Sequence, residues 1–379
     1  AHLGHGRGVS GDALIVVGAG IVGAACAERA SAEGFNVTLV EPGTVGGRAT
    51  AAAMGHLVAM DDDPAELALS HYSLELWNAL ADLPQAQFSR CGTLWVAADG
   101  HELAGVPAKL GRLAAAGIHA EAVDDTALYQ LEPALAPGFA GGMLVPRDAV
   151  AYGPAVAMHL VERAQSRGTR LLRDRALRLT RDGIELQGGQ TLRGSVLVAT
   201  GCALPELLPA LPMRARKGHL VITQRYPGLL RHQTLELGYA DSAHGSDDSS
   251  VAFNVQPRPT GQILIGSSRE FDDAMDPAVS MPMLRRMLER SFSYLPALRG
   301  LDALRVWTGF RPTSIDGRPY IGRVPGMDHA WVAAGHEGLG ITTALGTAHL
   351  LVDLLLERPT AIDAAPFDPA RLAAATVAA

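Results

Sequence analysis

The sequence ALIVVGAGIVGAACAERASAEGFNVTLVEPG, residues 13–43, decides the fold of this chain. It contains an apolar run, a glycine turn, an alanine-rich segment that breaks at Gly34, and a second apolar run that ends at Glu41. This order is typical of a β-strand, an α-helix and a second, parallel β-strand. The stretch therefore predicts one βαβ unit and the start of a parallel sheet.

Three glycines in this stretch, Gly18, Gly20 and Gly23, form a G-x-G-x-x-G motif between the predicted strand and helix. Glycine permits a tight turn, a close approach of backbone to a pyrophosphate and close helix packing, and a helix N-terminus favours negative charge. Glu41 lies where a carboxylate can accept from a ribose hydroxyl, which favours NAD or FAD over NADP. The alternative is a tight turn without a ligand.

The middle of the chain has a different pattern. Residues 92–98 and 218–225 are short strand candidates, and residues 251–268, VAFNVQPRPTGQILIGSS, predict two strands joined by a turn with proline and glycine. Residues 195–201, SVLVATG, and 330–335, AWVAAG, return to the apolar strand followed by glycine. The sequence therefore predicts a nucleotide-binding layer assembled from separated segments, with β-rich material inserted between them.

Composition excludes several classes of function. The 379 residues carry a formal net charge of -7, so no basic excess points to nucleic acid. The longest apolar run, residues 13–27, is shorter than the roughly 20 residues of a membrane span, which predicts neither a transmembrane helix nor a signal peptide. Cys26, Cys91 and Cys202 are odd in number and far apart, which predicts no disulfide framework, no metal site and a cytoplasmic location.

Four blocks of sequence, in order, resemble the glycine oxidase and D-amino-acid oxidase (DAO) family of FAD-dependent flavoproteins. They are GGRATAAAMGHL at 46–57, SVLVATG at 195–201, WTGFRPTSIDGRPYIGRVP at 307–325 and AAGHEGLGITTALGTAHLLVDLL at 333–355. Within that family, MGHLVAMDD and GHEGLGITT resemble the flavin subunits of hydrogen cyanide synthase, opine oxidase and D-hydroxyproline dehydrogenase most closely. The resemblance spans Asp12 to about Arg371, nearly the whole chain.

The resemblance implies an α/β fold, with a Rossmann-type FAD-binding domain and an inserted antiparallel β-sheet substrate domain. The expected division is given by residue ranges: 1–12 a flexible tail, 13–85, 141–215 and 305–379 the discontinuous FAD-binding domain, and 86–140 and 216–304 the substrate domain.

The resemblance also implies a substrate site around Arg311. In the family, the arginine of this block forks onto the substrate carboxylate, a task that suits a guanidinium better than an ammonium. The alternative is a structural pair with Asp316. Asn254 matches the position of a substrate-binding tyrosine in glycine oxidase, with Tyr239 as the alternative. His56 falls where the family backbone reaches the flavin, which implies that it lines the active site; the alternative is a role in supporting residues that do.

Two departures from the family bear on the chemistry. Monomeric sarcosine oxidase tethers its flavin through a cysteine where this chain has Gly309, and no cysteine follows residue 203, so FAD is expected to be non-covalent. The same enzyme uses a lysine near the flavin in its reaction with oxygen, and Arg269 matches that position, which favours a dehydrogenase. Gly338 and Gly340 form a second glycine loop before a helix that begins near Ile341, and His336 is expected to support this loop rather than to act in catalysis.

The predicted catalytic residues are thus Arg311, His56, Asn254 and Arg269. The predicted FAD-binding residues are Gly18, Ala19, Gly20, Ile21, Val22, Gly23, Glu41, Pro42, Arg48, Ala49, Thr50, Ala53, Met54, Gly55, His56, Leu57, Leu177, Thr200, Gly201, Gly338, Leu339, Gly340, Ile341 and Thr342.

The expected function is oxidation of the C–N bond of a small amino acid or secondary amino acid, of the glycine, D-proline, hydroxyproline or opine type, to an imine by hydride transfer to FAD. The chain is expected to act as the dehydrogenase subunit of a heteromeric complex with other flavin or iron–sulfur subunits. One alternative is a self-sufficient, homo-oligomeric oxidase that makes hydrogen peroxide. A second is a non-catalytic electron-transfer subunit, and an NAD-dependent dehydrogenase is disfavoured by the C-terminal blocks.

Overall fold

The predicted βαβ unit is present in the computed structural model, which describes residues 12–60, 62–238 and 249–372. Strand β1 (Ala13–Val17) pairs in parallel with β2 (Asn36–Val40), and helix α1 (Ile21–Ala32) connects them. Two expectations, the tail before Asp12 and the role of Tyr239, lie outside the described residues.

Contacts divide the chain into two units, each made of separated segments. The first comprises Ala1–Ala51, Pro154–Met213 and Thr313–Ala379, and the second comprises Ala52–Gly153 and Arg214–Pro312. This division differs from the expected boundaries, which assigned residues 52–85, 141–153, 214–215 and 305–312 to the FAD-binding domain.

The physical reason is strand pairing and packing within the second unit. His56 pairs with Val150 in a small two-stranded sheet. Leu67, on the helix Pro64–Trp77, packs in one cluster with Trp95 and Val106. These contacts between distant segments are not visible in the local pattern.

The first unit contains a six-stranded sheet and a separate three-stranded sheet. Its remaining elements are α2 (Arg48–Ala52), α7 (Gly153–Ser166), β8 (Arg170–Leu172), β9 (Ala176–Thr180), β10 (Gly183–Leu186), β11 (Thr191–Arg193), β12 (Ser195–Val198), α8 (Leu204–Leu207), β18 (Tyr320–Arg323), β19 (Ala330–Ala334) and α10 (Gly340–Leu355).

The six strands lie in the order β18-β19-β12-β1-β2-β8. From β19 to β8 all neighbours are parallel, and only β18 is antiparallel to its neighbour β19. Parallel strands have both faces covered, and the apolar residues 14–17 of β1 and 196–198 of β12 are accordingly almost completely buried. The Rossmann-type layer predicted from the glycine motif is therefore confirmed.

Helix α10 packs along α1 within this unit. Among the described residues, one helical segment, Glu337–Leu355, is long and apolar enough by length and composition to cross a membrane. Ten residues of α10, from Ile341 to Val352, are nevertheless buried in the first unit. Its apolar character is therefore that of a core helix.

In the second unit, an eight-stranded sheet is the main element. Its strands and helices are β3 (His56–Leu57), α3 (Pro64–Trp77), β4 (Thr93–Ala97), α4 (Gly100–Ala104), α5 (Val106–Ala115), β5 (Glu121–Asp124), α6 (Asp125–Leu131), β6 (Gly141–Val145), β7 (Ala149–Val150), β13 (Met213–Arg225), β14 (Gln233–Glu236), β15 (Ser249–Pro257), β16 (Gln262–Phe271), α9 (Met281–Tyr294) and β17 (Ala303–Ser314).

The strand order is β17-β13-β16-β15-β14-β4-β6-β5. Antiparallel pairing dominates, as predicted, although β14 pairs with β4 in parallel. Phe253 and Val255 of β15 pack in one apolar cluster with Met287 of α9. Since side chains alternate along a strand, the intervening Asn254 is directed to the opposite face of the sheet.

Candidate active site

The glycine turn after β1 has room for backbone only. Gly18 has a φ of +101°, and a Cβ built on it would lie 2.5 Å from the carbonyl oxygen of Ala199. A Cβ on Gly23 would lie 1.9 Å from the carbonyl oxygen of Gly18. Any side chain at these two positions would therefore displace the backbone, as the motif requires.

Polar groups converge on the N-terminus of α1. Glu41 accepts hydrogen bonds from Ala19 N at 2.9 Å and from Gly43 N at 2.7 Å. Thr50, which is buried, accepts from Ile21 N at 3.0 Å. The structure thus brings four of the predicted cofactor residues, Gly18, Ala19, Ile21 and Thr50, to one turn with the Glu41 carboxylate beside it.

The other predicted residues of the first unit differ in how close they lie to the glycine turn. Thr200 flanks the turn, because its Cα would be 3.4 Å from a Cβ on Gly18. Arg48 begins α2 with a φ of +48°, and its charge acts on the thiol of Cys202, which follows Gly201. Leu177 lies on β9 of the three-stranded sheet, and 46% of its surface is exposed.

The second predicted loop, Gly338 to Thr342, forms the turn that leads into α10. A 3₁₀ turn over Glu337–Leu339 precedes the helix, and Thr342 is buried. His336 lies beneath this turn, 3.0 Å from Thr347 Oγ1, and burial lowers its pKa to about 4. An interior, neutral histidine suits the supporting role that was predicted for His336.

In the second unit, the segment Ala53 to Leu57 runs into β3. Gly55 has a φ of +88°, and a Cβ on it would lie 2.0 Å from the carbonyl oxygen of Ala151, so the close approach requires glycine. Met54 packs with Leu220 and Leu264. This packing anchors the chain two residues before His56.

His56 is the centre of a hydrogen-bonded cluster. Its Nδ1 lies 2.7 Å from Gln233 Oε1, and its Nε2 lies 3.1 Å from Asn254 Nδ2. Burial, and after it the charges of Arg258, Arg311 and Arg269, lowers the pKa of His56 to about 4. The imidazole is therefore neutral near pH 7, in a positive electrostatic environment.

Arg311, on β17, lies against the backbone of β13. A Cβ on Gly218 would come within 2.6 Å of Arg311 Nη1, and that nitrogen donates to the carbonyl oxygen of Ser268 at 3.2 Å. Asp316, the alternative partner considered from sequence, instead accepts hydrogen bonds from Arg371 at 2.7 and 2.9 Å.

All four predicted catalytic residues lie in the second unit, in the cluster around His56. Asn254 contacts His56 directly, while Arg311 and Arg269 are close enough for their charges to act on its ring. Asn254 is 2% exposed, and its Oδ1 has no hydrogen-bond partner among the described residues.

Sequence reasoning missed Gln233, Gln256 and Arg258. Arg258 Nη1 donates to Gln256 Oε1 at 3.0 Å and to Met54 O at 3.4 Å. A signal existed for two of them, because Asn254, Gln256 and Arg258 alternate with apolar residues in the quoted strand and so share its face. Gln233 carried no such signal.

Comparison with known proteins identifies the family. The DAO family of FAD dependent oxidoreductases matches residues 13–354. The chain belongs to the DAO family. This DAO-family chain is 29% identical over 383 residues to glycine oxidase from Pseudomonas aeruginosa, an alignment that covers 95% of the chain and 99% of that enzyme.

A second relative of this DAO-family chain is D-amino acid dehydrogenase 2 from Ralstonia nicotianae. It is 28% identical over 438 residues, with coverage of 94% and 100%. Among solved structures, glycine oxidase from Geobacillus kaustophilus superposes with a TM-score of 0.84 at 25% identity, covering 96% of this chain and 99% of that one. The predicted family, fold class, cofactor FAD and enzyme class are thus confirmed.

The first unit fits FAD on its own geometry. The turn at Gly18 and Gly23 excludes a Cβ, as a loop that lies against a pyrophosphate requires, and the N-terminus of α1 follows it directly. Glu41 presents a carboxylate beside that turn, where it can accept from the ribose hydroxyls. These residues would hold the adenosine and pyrophosphate part of the cofactor.

Proposed function

We propose that this DAO-family enzyme oxidises the C–N bond of a small amino acid or secondary amino acid, of the glycine, D-proline, hydroxyproline or opine type, to an imine. The cluster at His56 carries the proposal, because it combines an arginine that suits a carboxylate with an amide that suits an amine. Both relatives described above are named for amino acid substrates, which supports the same class.

In this proposal, Arg311 binds the substrate carboxylate through its guanidinium. The hydrogen bond to Ser268 O and the contact with Gly218 hold the guanidinium in one orientation before substrate arrives. Preorganisation of this kind lowers the entropic cost of placing the reacting Cα–H bond.

The reaction needs no dedicated base if the nitrogen is neutral. The Cα–H bond breaks with its electron pair, and the nitrogen lone pair forms the C=N bond of an iminium, which loses a proton to give the imine. FAD, when bound, supplies the two-electron acceptor for the hydride. His56 is a poor base because its pKa is about 4 and its ring nitrogens are engaged with Gln233 and Asn254.

We further propose that the electrons pass to another protein, with this chain as the dehydrogenase subunit of a heteromeric complex. The resemblance of MGHLVAMDD and GHEGLGITT to flavin subunits supports this, as does a relative that is a dehydrogenase. Arg269, which is buried on β16, supports it too, because it stands where sarcosine oxidase has its oxygen-activating lysine. The glycine oxidase relative favours the alternative, a self-sufficient oxidase.

The test is a screen of the purified, FAD-loaded protein by absorbance of the flavin. Without oxygen, glycine, sarcosine, D-proline, hydroxyproline and opines are added singly, and at least one is expected to bleach the flavin. Air and an artificial dye are then compared as oxidants of the bleached protein, and fast recovery with dye and slow recovery with air is expected.

Each result bears on a separate part of the proposal. If no amino acid bleaches the flavin while dithionite does, the assignment to C–N oxidation is wrong. If air restores the flavin as fast as substrate bleaches it, with peroxide formed in step, the protein is an oxidase and not a dehydrogenase subunit.

A further inference from the structure

A chain of hydrogen bonds in the second unit starts at a backbone carbonyl and ends at Asn254. The carbonyl oxygen of Ala149 can only accept, so Gln233 presents its Nε2 to it, at 3.2 Å. Gln233 Oε1 then faces His56 Nδ1 at 2.7 Å, and this short contact places the proton on Nδ1, because the competing donor, Gln256 Nε2, lies farther away at 3.4 Å.

The remaining orientations follow from that proton. With hydrogen on Nδ1, the Nε2 of neutral His56 is an acceptor, and Asn254 presents Nδ2 to it at 3.1 Å. The Asn254 Oδ1 is thereby turned away from His56. The amide orientation is thus determined by the network, step by step, from Ala149.

The Oδ1 of Asn254 is an acceptor that the protein leaves unpaired. Asn254 is 2% exposed, and Oδ1 has no hydrogen-bond partner among the described residues. A buried polar atom without a partner costs free energy, and nearly all such atoms in folded proteins are paired. An N–H or O–H donor from a bound molecule would satisfy it.

The charges around the cluster select the donor. The guanidinium groups of Arg258, Arg269 and Arg311 act on His56, and Arg258 is bound by neutral oxygens of Met54, Gln256 and Gln87. Positive charges close enough to act on the His56 ring also disfavour a further cation beside it, so an ammonium is a poor ligand for Oδ1 of Asn254. A neutral amine N–H on a molecule whose carboxylate binds an arginine fits both conditions.

We infer that Asn254 is a specificity-determining residue whose Oδ1 accepts a hydrogen bond from the substrate nitrogen, and that His56 is a positioning residue that holds the amide in this orientation. The inference rests on the proposed function and deepens it. It restricts substrates to primary and secondary amino acids, because a tertiary amine has no N–H in its neutral, reactive form.

The first test compares substrates that differ in a single N–H. Two pairs are used, sarcosine with N,N-dimethylglycine and D-proline with N-methyl-D-proline, and anaerobic flavin bleaching is measured. The native enzyme should reduce its flavin with the N–H member of a pair and at least about 10-fold more slowly with the N-methylated member, as loss of one good hydrogen bond implies. Asn254→Leu, which preserves the size of the side chain, should slow the N–H member to a similar rate.

Glycine is included as a primary amine so that failure of the proposed function is recognised separately. If none of the N–H compounds bleaches the native flavin, the proposed function has failed, and the inference falls with it. If native enzyme accepts both members of a pair equally, or Asn254→Leu leaves their ratio unchanged, the inference alone is overturned. The native ratio is measurable even if the variant does not fold.

The second test separates positioning from mere stability. His56→Leu removes the acceptor for Asn254 Nδ2 and should weaken binding and reduction by the N–H substrate, whereas His56→Gln, which retains an acceptor, should restore most of it. Binding of (methylthio)acetate, a sarcosine analogue with sulfur in place of N–H, is followed by the flavin spectrum. It should be unchanged in both variants. An equal loss of (methylthio)acetate binding would assign His56 to structure and overturn its positioning role.

Discussion

Arg311 and Asp316 lie five residues apart in the sequence and bind different partners. An arginine five residues before an aspartate on a turn is a natural candidate for a local ion pair. Here Asp316 receives two hydrogen bonds from Arg371, a residue 55 positions further along the chain. Arg311 lies instead beside Gly218 and Ser268, in the second unit. Its predicted role as the carboxylate ligand stays a prediction, and the next experiment tests it.

Replacement of Arg311 by lysine should impair reduction by substrate far more than binding of FAD. An ammonium keeps the charge but cannot form the bidentate fork, and truncation of a buried charged pair costs about 2 to 5 kcal/mol. Stopped-flow bleaching over a range of substrate concentrations measures the first effect, and the ratio of flavin to protein absorbance measures the second.

Arg305→Lys is the matched control, because Arg305 is an exposed residue of the same strand, β17, and lies over the ring of Trp307. It should behave as native. Unchanged bleaching kinetics in Arg311→Lys would assign this arginine to the stability of β17.

At the scale of elements, two helices contain glycine for different reasons. In α1, the position of Gly23 is closed, since a Cβ would lie 1.9 Å from Gly18 O. In α5, the position of Gly111 is open, with no atom within 4 Å of a Cβ. The first glycine is thus required by the turn, which is predicted to bind the cofactor, and the second only lowers the helix propensity of α5.

These two helices provide opposed alanine substitutions. Gly23→Ala should destabilise the first unit and reduce the FAD content of the purified protein, because the added methyl group must push the glycine turn away from α1. Gly111→Ala should stabilise the protein by roughly 0.5 to 1 kcal/mol with unchanged FAD content, since alanine is the better helix former. Urea unfolding and flavin absorbance measure both quantities. Normal FAD content in Gly23→Ala would contradict the role given to this turn.

At the scale of the whole molecule, the cofactor should be separable from the chain. The position of the tethering cysteine is Gly309, and a Cβ there would lie 2.4 Å from the Cβ of Ala52, so the site is closed to a larger side chain. Denaturation by acid or heat should therefore release intact FAD into the supernatant, identified by chromatography against FAD and FMN standards. Yellow colour that remains with the precipitate would disprove non-covalent binding, and free FMN would contradict the assignment to the dinucleotide.

Elements defined by local pattern could be predicted well. The βαβ unit and the hairpin of β15 and β16 follow from apolar periodicity and from the glycine and proline turns, and both are present. Glu41 was identified because the motif places it at a set distance along the chain. The parallel pairing of β14 with β4 was not predicted, because it joins strands more than a hundred residues apart.

The site could be predicted only in part for the same reason. Asn254 and Arg311 were found through the resemblance to a family, and Gln256 and Arg258 left an alternating pattern that was overlooked. Gln233 lies 177 residues from His56, and no local signal marks it as the partner that sets the tautomer of the ring. The cytoplasmic location inferred from the cysteines, which are free in the structure, stays a prediction.

The strand order of the first unit has a consequence for synthesis on the ribosome. β1 lies between β2 and β12, and β12 lies between β1 and β19, so the central sheet draws on three separated parts of the chain. β19 ends at Ala334, so the sheet lacks a member until nearly the whole polypeptide has been translated. β1 has only β2 beside it until residues 195–198 have been made, β12 lacks β19 until residue 334, and closure of such distant pairs is slow. The nascent chain is thus exposed to aggregation for most of its synthesis, and chaperones that shield unpaired apolar strands would raise the yield of native enzyme.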